Sequence, residues 1–538
     1  MKKFVKIWPI VTIFLFSLAP TFFLWRNHQF FNNHENFFPM MRLYEFHRNI
    51  AAGYFMPRWA PDLVGGYGYP FFDFYAPLSY WLAEIFHLLN FGWIWSIKLT
   101  FIAGFLLSGL TMYWLAKELW NSRWAGVAAA VVYMSLPYHL SDTYTRGNLA
   151  ESTVFIFVPL ALLFFWRLIN QPSFKNIICS VLSLAAIILT HNITGFYFLF
   201  ILVAWILFGW WRNGRKRRAL LFSGGAIVAA LLLTAFFVLP ALYDRRFVRT
   251  EEMLQFWYVP FRFLFSDSGD TVHFNFLRHQ SYWWHWLPTL GSLSTAVFVR
   301  RFQRQRSLIF WLFLMFLILS FLMIDESQFI WQRLPQFFYF IQYTYRLLIF
   351  WGLFLSLLVG FFWLLLGRGQ WRTIFLALLM VFSAALVFDR GRVDYNDLTD
   401  KDITPQLSWD WDQRWGTQGN TAQSEYLPKL VNRDGFIYKT DGLANFSWEK
   451  KIVSDKENEI IVPVFVYPGW KATINGQPTT INYDENGLLK ISLPAGEHLV
   501  RVWFSSTPIR TIGGLISLLT LMAIIILWRW PKRNFFTA

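Results

Sequence analysis

Long apolar stretches alternate with short basic ones along most of the chain. Runs such as 219–239 (ALLFSGGAIVAALLLTAFFVL) and 375–388 (FLALLMVFSAALVF) lack the polar stripe of a surface helix. A membrane-crossing helix needs ~20 predominantly apolar residues. By that measure the pattern predicts twelve spans, near 7–25, 94–116, 124–140, 152–169, 176–191, 195–211, 219–239, 283–299, 307–324, 347–366, 372–388 and 510–529. A further stretch at about 77–90 is short and aromatic and is predicted to lie along the membrane surface. Counting it as a span would give the following loops the wrong charge sign. The pattern changes at residue 389. From there to 509, turn-rich sequence leads into alternating runs, EIIVPVFVYPGW, KATINGQPTTINYD, GLLKISLPAG and EHLVRVWFSS. Asn475-Gly476 and Glu485-Asn486-Gly487 are hairpin signals between them. The fold class expected is an all-α polytopic membrane protein with a small antiparallel β domain near the C-terminus, separable from the rest.

Charge orients this plan. Lys2/Lys3/Lys6, Lys117/Arg123, Arg167/Lys175, Arg212/Arg215/Lys216/Arg217/Arg218, Arg300/Arg301/Arg304/Arg306, Arg368/Arg372 and Arg529/Lys532/Arg533 all fall on one side of the twelve-span layout. Basic loops stay in the cytoplasm, so both termini are expected inside. Segments 26–93, 240–282, 325–346 and the β domain (389–509) are expected outside. The net charge of +16 therefore belongs to membrane loops, and nucleic acid is not an expected partner. Only 15% of residues are charged and 56% are hydrophobic, which suits a membrane protein. The single cysteine, Cys179, excludes an intrachain disulfide and a cysteine metal site. The first apolar stretch has no small-residue cleavage site and reads as an uncleaved helix.

Ionisable groups at the outer membrane face are costly and mark candidate sites. The first outer loop (26–93) offers His34, Glu35, Arg42, Glu45, His47, Arg48, Arg58, Asp62 and Asp73 among glycines and aromatics. The second outer loop (138–151) carries Asp142, Arg146 and Glu151. Ordinary roles exist for each: a solvated loop charge, a carboxylate at a helix start, or an interfacial anchor. His191 sits where a span reaches the outer surface. Arg346 and Lys98 enter the membrane from that side, either snorkelling or contacting a lipid phosphate. No P-loop, G-x-S-x-G or zinc spacing is present, so ATP is not expected to bind here.

In order, Arg58-Trp59, GYGYPFFDFYAPLSY, PYHLSDTYTRGNLAE, LTHN and IQYTYR resemble the bacterial membrane proteins called 6-pyruvoyl-tetrahydropterin synthase-related. The tail, YPGWKATINGQ through LPAGEHLVRVWFSSTPIRTIGGLIS, is similar to that of membrane proteins implicated in lipoteichoic-acid glycosylation. The architecture resembles the GT-C glycosyltransferases. This resemblance implies an enzyme of the bacterial plasma membrane. Such enzymes move a hexosyl or pentosyl group from a polyprenyl-phosphate donor to a glycan, lipid or polymer acceptor outside. It implies a carboxylate just after helix one as the catalytic group, and Glu35 stands there. The resembling proteins usually carry aspartate at that place and a histidine soon after, where this chain has Phe37-Phe38-Pro39-Met40. IQYTYR likewise departs from the commoner IQFPWR. Transfer needs a proton acceptor and positive charge on the departing phosphate. Arg42, Arg58, Lys98, Asp142, Arg146, Glu151, His191 and Arg346 are the candidates to bind that phosphate or a divalent metal ion. Two rivals remain. A transporter or flippase of lipid-linked glycans predicts mid-span charges and broken helices, and a non-catalytic assembly factor predicts replaceable loop carboxylates.

Overall fold

The computed structural model describes residues 7–251, 283–298, 302–367, 369–415, 426–432 and 446–529. Lys2, Lys3, Lys6, Arg300, Arg301, Arg368, Lys532 and Arg533 of the basic clusters lie outside these residues, as does 252–282 of the second expected outer segment.

The protein is mostly helical, with a C-terminal β region. Among the described residues, seven helices are long and apolar enough to cross a membrane: Trp93–Trp120, Leu149–Asn170, Asn192–Arg212, Gln303–Phe321, Thr344–Leu365, Gln370–Arg390 and Pro508–Arg529. Arg217–Leu233 and Ala235–Phe247 qualify as a pair bent by 66°. The other predicted segments give shorter helices, Trp8–Ser17, Arg123–Met134, Phe174–Thr190 and Trp283–Phe298.

The differences from the sequence expectation have local causes. The 7–25 segment breaks before Phe22, around Pro20, which has no N–H to give a helix. The 124–140 segment breaks at Ser135-Leu136, because the residue before Pro137 is driven out of helical geometry; Leu136 has ψ 130°. At the 66° bend, the Thr234 hydroxyl donates to the carbonyls of Ala230 and Leu231 (both 3.1 Å), a back-bonding that bends helices. Pro240 then leaves the Phe236 carbonyl without its helical donor, and the Arg58 guanidinium donates to it instead.

The first outer loop is structured throughout. It contains a helix, Phe38–Ala51, that hydropathy missed, and the expected surface helix as Leu78–Leu88. The second outer loop is also not a loop. It consists of two short helices, Pro137–Tyr144 and Leu149–Val154, in which every residue is buried.

The β region has two antiparallel sheets. One has the order β1-β7-β3-β4 (Ser447–Ser454, Gly496–Phe504, Trp470–Ile474, Gln477–Thr479) and the other β2-β6-β5 (Asn458–Phe465, Leu488–Leu493, Asn482–Tyr483). Both hairpin signals fall at turns. Asn475 and Gly476 have φ 52° and 81°, and Asp484 accepts from the backbone N–H groups of Asn486 and Leu488 (3.0 and 2.8 Å).

The β region shares one hydrophobic core with the first outer loop, which bears on the expectation of a separable β domain. Trp59 is fully buried against Tyr467, Trp470 and Phe504 (centroids 5.8, 5.6 and 5.6 Å), and Tyr67 stacks on Phe465 at 5.2 Å. The Phe465 N–H donates to the Tyr67 carbonyl (3.1 Å). Residues 389–509 expressed alone would expose these rings. We expect them to show no cooperative β-sheet melt by circular dichroism; a sharp two-state melt would mean that the sheets suffice for their own core.

Candidate functional site

The first outer loop meets the Pro137–Tyr144 helix through backbone pairing. The N–H of His34 donates to the Thr145 carbonyl (2.9 Å) and that of Glu35 to the Arg146 carbonyl (3.0 Å). Gly147 makes the approach possible. It has φ 68°, and a Cβ there would sit 2.2 Å from the Asn33 side-chain oxygen. Two distant stretches predicted to carry chemistry are thereby fixed side by side.

On the inner side of this junction lies a buried ionic cluster. One Arg146 nitrogen, Nη1, donates to Tyr138 Oη (2.9 Å), to Glu151 Oε2 (2.7 Å) and to Asp142 Oδ1. Tyr138 donates to the other Glu151 oxygen at 2.6 Å. Arg346 Nε stands 3.3 Å from Glu151 Oε2, while its Nη1 is spent on the Ile341 carbonyl (3.0 Å) and Gln342 (2.6 Å). The Asn148 side chain caps the Leu149–Val154 helix by accepting from the Glu151 N–H (2.9 Å). Tyr345 lies under Arg146, with the guanidinium 5.5 Å from its ring. His191 is buried close enough to feel Glu151, Arg346 and Arg146, but its hydrogen bond goes to the Thr194 hydroxyl at 2.7 Å.

Burial, then the charge of Glu151, holds the Asp142 carboxyl well above the usual carboxylate range, against the pull of Arg146. Its Oδ2 is buried without a hydrogen-bond partner. A folded carboxyl that holds its proton more tightly than the unfolded chain costs stability as pH rises. The loss begins at the unfolded carboxylate pKa and is complete above the folded one. Asp142→Asn keeps an oxygen for Arg146 and removes that titration. Its melting temperature in detergent should vary less with pH across this window than that of wild type, and an equal slope would contradict the assignment.

The more exposed group at this junction is Glu35. Its Oε2 accepts from Arg42 Nη1 at 2.6 Å, and Arg42 lies against Phe38, Phe71 and Tyr75 (5.7, 4.9 and 5.5 Å to the ring centroids). Burial opposes the Arg42 charge, but Glu35 outweighs it and the guanidinium is held above its ordinary range. The Glu35 side chain is 27% exposed, whereas those of Asp73, Asp142 and Glu151 are at 0%.

Two candidates lie elsewhere. Lys98 donates to the backbone carbonyls of Asn27 (2.7 Å) and Gln29, pinning the start of the first loop. Arg58 joins a separate buried knot. In it Asp73 accepts from Arg58 (3.0 Å), Arg510 (2.7 Å) and Tyr467 (2.9 Å), and Arg510 also donates to Asp244 (3.2 Å). That knot ties the first loop to the β region and the last helix. The sequence reading missed Tyr138, Gln342, Tyr467 and Arg510. All four fall inside the quoted motifs, but nothing in the sequence marks Arg510 as a partner of Asp73.

The donors do not suit a divalent metal. Glu151 is held at both oxygens and Asp142 at one by side chains already named, and among the described residues no three His, Cys, Asp or Glu side chains are grouped to hold an ion.

A family model described as "6-pyruvoyl-tetrahydropterin synthase related domain; membrane protein" matches residues 72–391. A Lactococcus lactis subsp. cremoris protein of uncharacterised function is 23% identical over 214 residues, which is 38% of this chain and 34% of that protein. The undecaprenyl phosphate-alpha-4-amino-4-deoxy-L-arabinose arabinosyl transferase 2 of Sodalis glossinidius is 31% identical over 86 residues, 16% of this chain and 14% of that one. The matches thus span about a third or less of these relatives' own lengths. Among solved structures, the oligosaccharyltransferase AglB of Archaeoglobus fulgidus, in complex with an inhibitory peptide and a dolichol-phosphate, aligns with TM-score 0.47 and 14% identity over 79% of this chain and 61% of its own. The mycobacterial arabinofuranosyltransferase AftD aligns with TM-score 0.45 and 14% identity over 72% and 28%. ArnT of Cupriavidus metallidurans, bound to undecaprenyl phosphate, aligns with TM-score 0.38 and 16% identity over 75% and 68%.

Proposed function

The chain belongs to the 6-pyruvoyl-tetrahydropterin synthase related family of membrane proteins, and from that footing we propose that it is a membrane glycosyltransferase of the GT-C kind. It takes a sugar from a polyprenyl-phosphate donor and gives it to a cell-envelope acceptor outside the plasma membrane. The observation that carries this reading is the placement of Glu35. It is the open carboxylate of the candidate set, and its backbone is paired to Arg146 of the buried cluster.

The chemistry follows from that placement. The acceptor hydroxyl loses its proton to Glu35 as its oxygen attacks the anomeric carbon. The bond from that carbon to the phosphate oxygen breaks, and the electron pair leaves with polyprenyl phosphate. Arg146 stabilises the charge gathering on that phosphate, with Arg42 on its other flank. Arg346 and Tyr138 hold Glu151, which in turn fixes Arg146. Arg146 and Arg346 bring two guanidiniums together at Glu151, which suits an anion. Both termini face the cytoplasm and the β region lies outside in this reading, in keeping with the basic clusters.

The test is a comparison of cells with and without the gene. The account expects the polyprenyl-phosphate sugar to accumulate and one envelope glycan to lose that sugar when the gene is absent. Unchanged levels of both would oppose it. A flippase is kept as a second reading because of the 66° bend in the pair Arg217–Leu233 and Ala235–Phe247, since broken helices belong to transporters.

A further inference from the structure

Away from Glu35 and Arg146, the chain forms an open cavity of about 770 Å³ between the end of the first apolar segment and the end of the Gln370–Arg390 helix. Phe22, Phe23 and Phe388 line one part, and Arg26, Arg392 and Asp394 another. Tyr395 also lines it and donates from its hydroxyl to the Phe23 carbonyl (2.7 Å). Arg26 and Arg392 are both exposed, and among the described residues neither has a carboxylate partner. Arg26 lies 5.8 Å from the Phe22 ring.

We propose that this cavity binds the phosphate headgroup of an anionic bilayer phospholipid, with Arg26 and Arg392 on the phosphate and the acyl chains leaving along the Gln370–Arg390 helix. Two features commit the occupant to a lipid. Leu378, Val381, Phe382 and Phe388 are exposed large apolar side chains at helical spacing, so an apolar stripe runs along that helix into the cavity. The two unpartnered guanidiniums stand where this stripe ends, as cationic side chains do at a membrane interface. The stripe belongs to a helix apolar enough to cross the membrane, so it faces lipid in any case and brings bilayer headgroups, more than a soluble anion, to the two arginines. A polyprenyl phosphate would be wanted beside Glu35, whereas this cavity is walled by the 22–26 and 388–395 segments. A lipid seated here would clamp those two segments together and so steady the strap, Asp394–Asn396, that pairs with Phe30–Asn32 of the first loop.

The experiment uses the full chain in nanodiscs of phosphatidylcholine with increasing phosphatidylglycerol, counting retained lipids by native mass spectrometry. Wild type is expected to retain one phosphatidylglycerol that the Arg26→Ala/Arg392→Ala variant loses, with apparent affinity roughly thirty-fold weaker for two cationic groups. Asp394→Asn removes the negative group of the lining and should move retention the other way. Equal retention by wild type and the double variant would overturn the proposal. So would displacement of phosphatidylglycerol by an equal amount of undecaprenyl phosphate, or by millimolar inorganic phosphate. None of these readouts depends on sugar transfer, so the proposed glycosyltransferase activity can fail while this site stands, and the reverse.

Discussion

Glu35→Gln should slow sugar transfer by ~10²–10⁴-fold, the usual cost of losing a general base, while the protein stays folded. Glutamine keeps an oxygen to accept from Arg42, so the Glu35–Arg42 contact that orders the loop survives in neutral form. Proton acceptance is what disappears. The loss should fall on kcat, because the donor phosphate is held by arginines that the substitution leaves in place. Glu35→Asp keeps the carboxylate but shortens its reach to Arg42, and is expected to fall between the two. If purified Glu35→Gln transfers sugar within a few-fold of wild type, Glu35 only orders the loop. Asp62 and Asp73 would then be the next to test, although each is already engaged, by Arg48 and by the Arg58–Arg510 knot.

Arg146 separates two effects that a single alanine variant would confuse. Its Nη1 alone holds Tyr138, Asp142 and Glu151. Its Nη2 and Nε have no partner among the described residues and are available to a donor phosphate. Arg146→Ala leaves Asp142 without its guanidinium and Glu151 with Arg346 alone, at 3.3 Å, and should lower the melting temperature. Arg146→Lys supplies one ammonium in place of Nη1 but no second face. It should melt near wild type and bind the polyprenyl-phosphate donor roughly 10–100-fold more weakly, the worth of one or two charge-assisted hydrogen bonds. Binding of the lysine variant at wild-type strength would return this cluster to a purely structural role.

Much of this was legible in the sequence, and what escaped did so for a physical reason. Span positions follow from apolar runs, because the membrane rewards apolarity residue by residue, but the breaks at Pro20 and Pro137 escaped a reading that laid unbroken spans over 7–25 and 124–140. Hydropathy misjudged YHLSDTYTRGNLAE. Many of its polar residues bond to one another inside two buried helices, and such a run looks, in one dimension, like a run solvated by water. The core that the β region shares with the first loop was hidden for a related reason. Alternating strands and turns are local, but the rings that complete the core, Trp59 and Tyr67, sit some four hundred residues earlier in the chain. The Asp73–Arg510 pair spans 437 residues and no local spacing could announce it. Asp142, Arg146 and Glu151 were singled out together because they are near in sequence, and the fold does bring them together with Arg346.

The fate of the lipid-linked donor tests the central claim most directly. Purified wild-type protein in proteoliposomes would be given a polyprenyl-phosphate sugar labelled in both the lipid and the sugar, together with an envelope glycan acceptor. The account predicts that free polyprenyl phosphate and glycosylated acceptor appear in equal amounts, and that with Glu35→Gln both appear ~10²–10⁴-fold more slowly. Movement of the intact doubly labelled donor across the bilayer, with no cleavage between sugar and phosphate, would contradict it and make the protein a flippase.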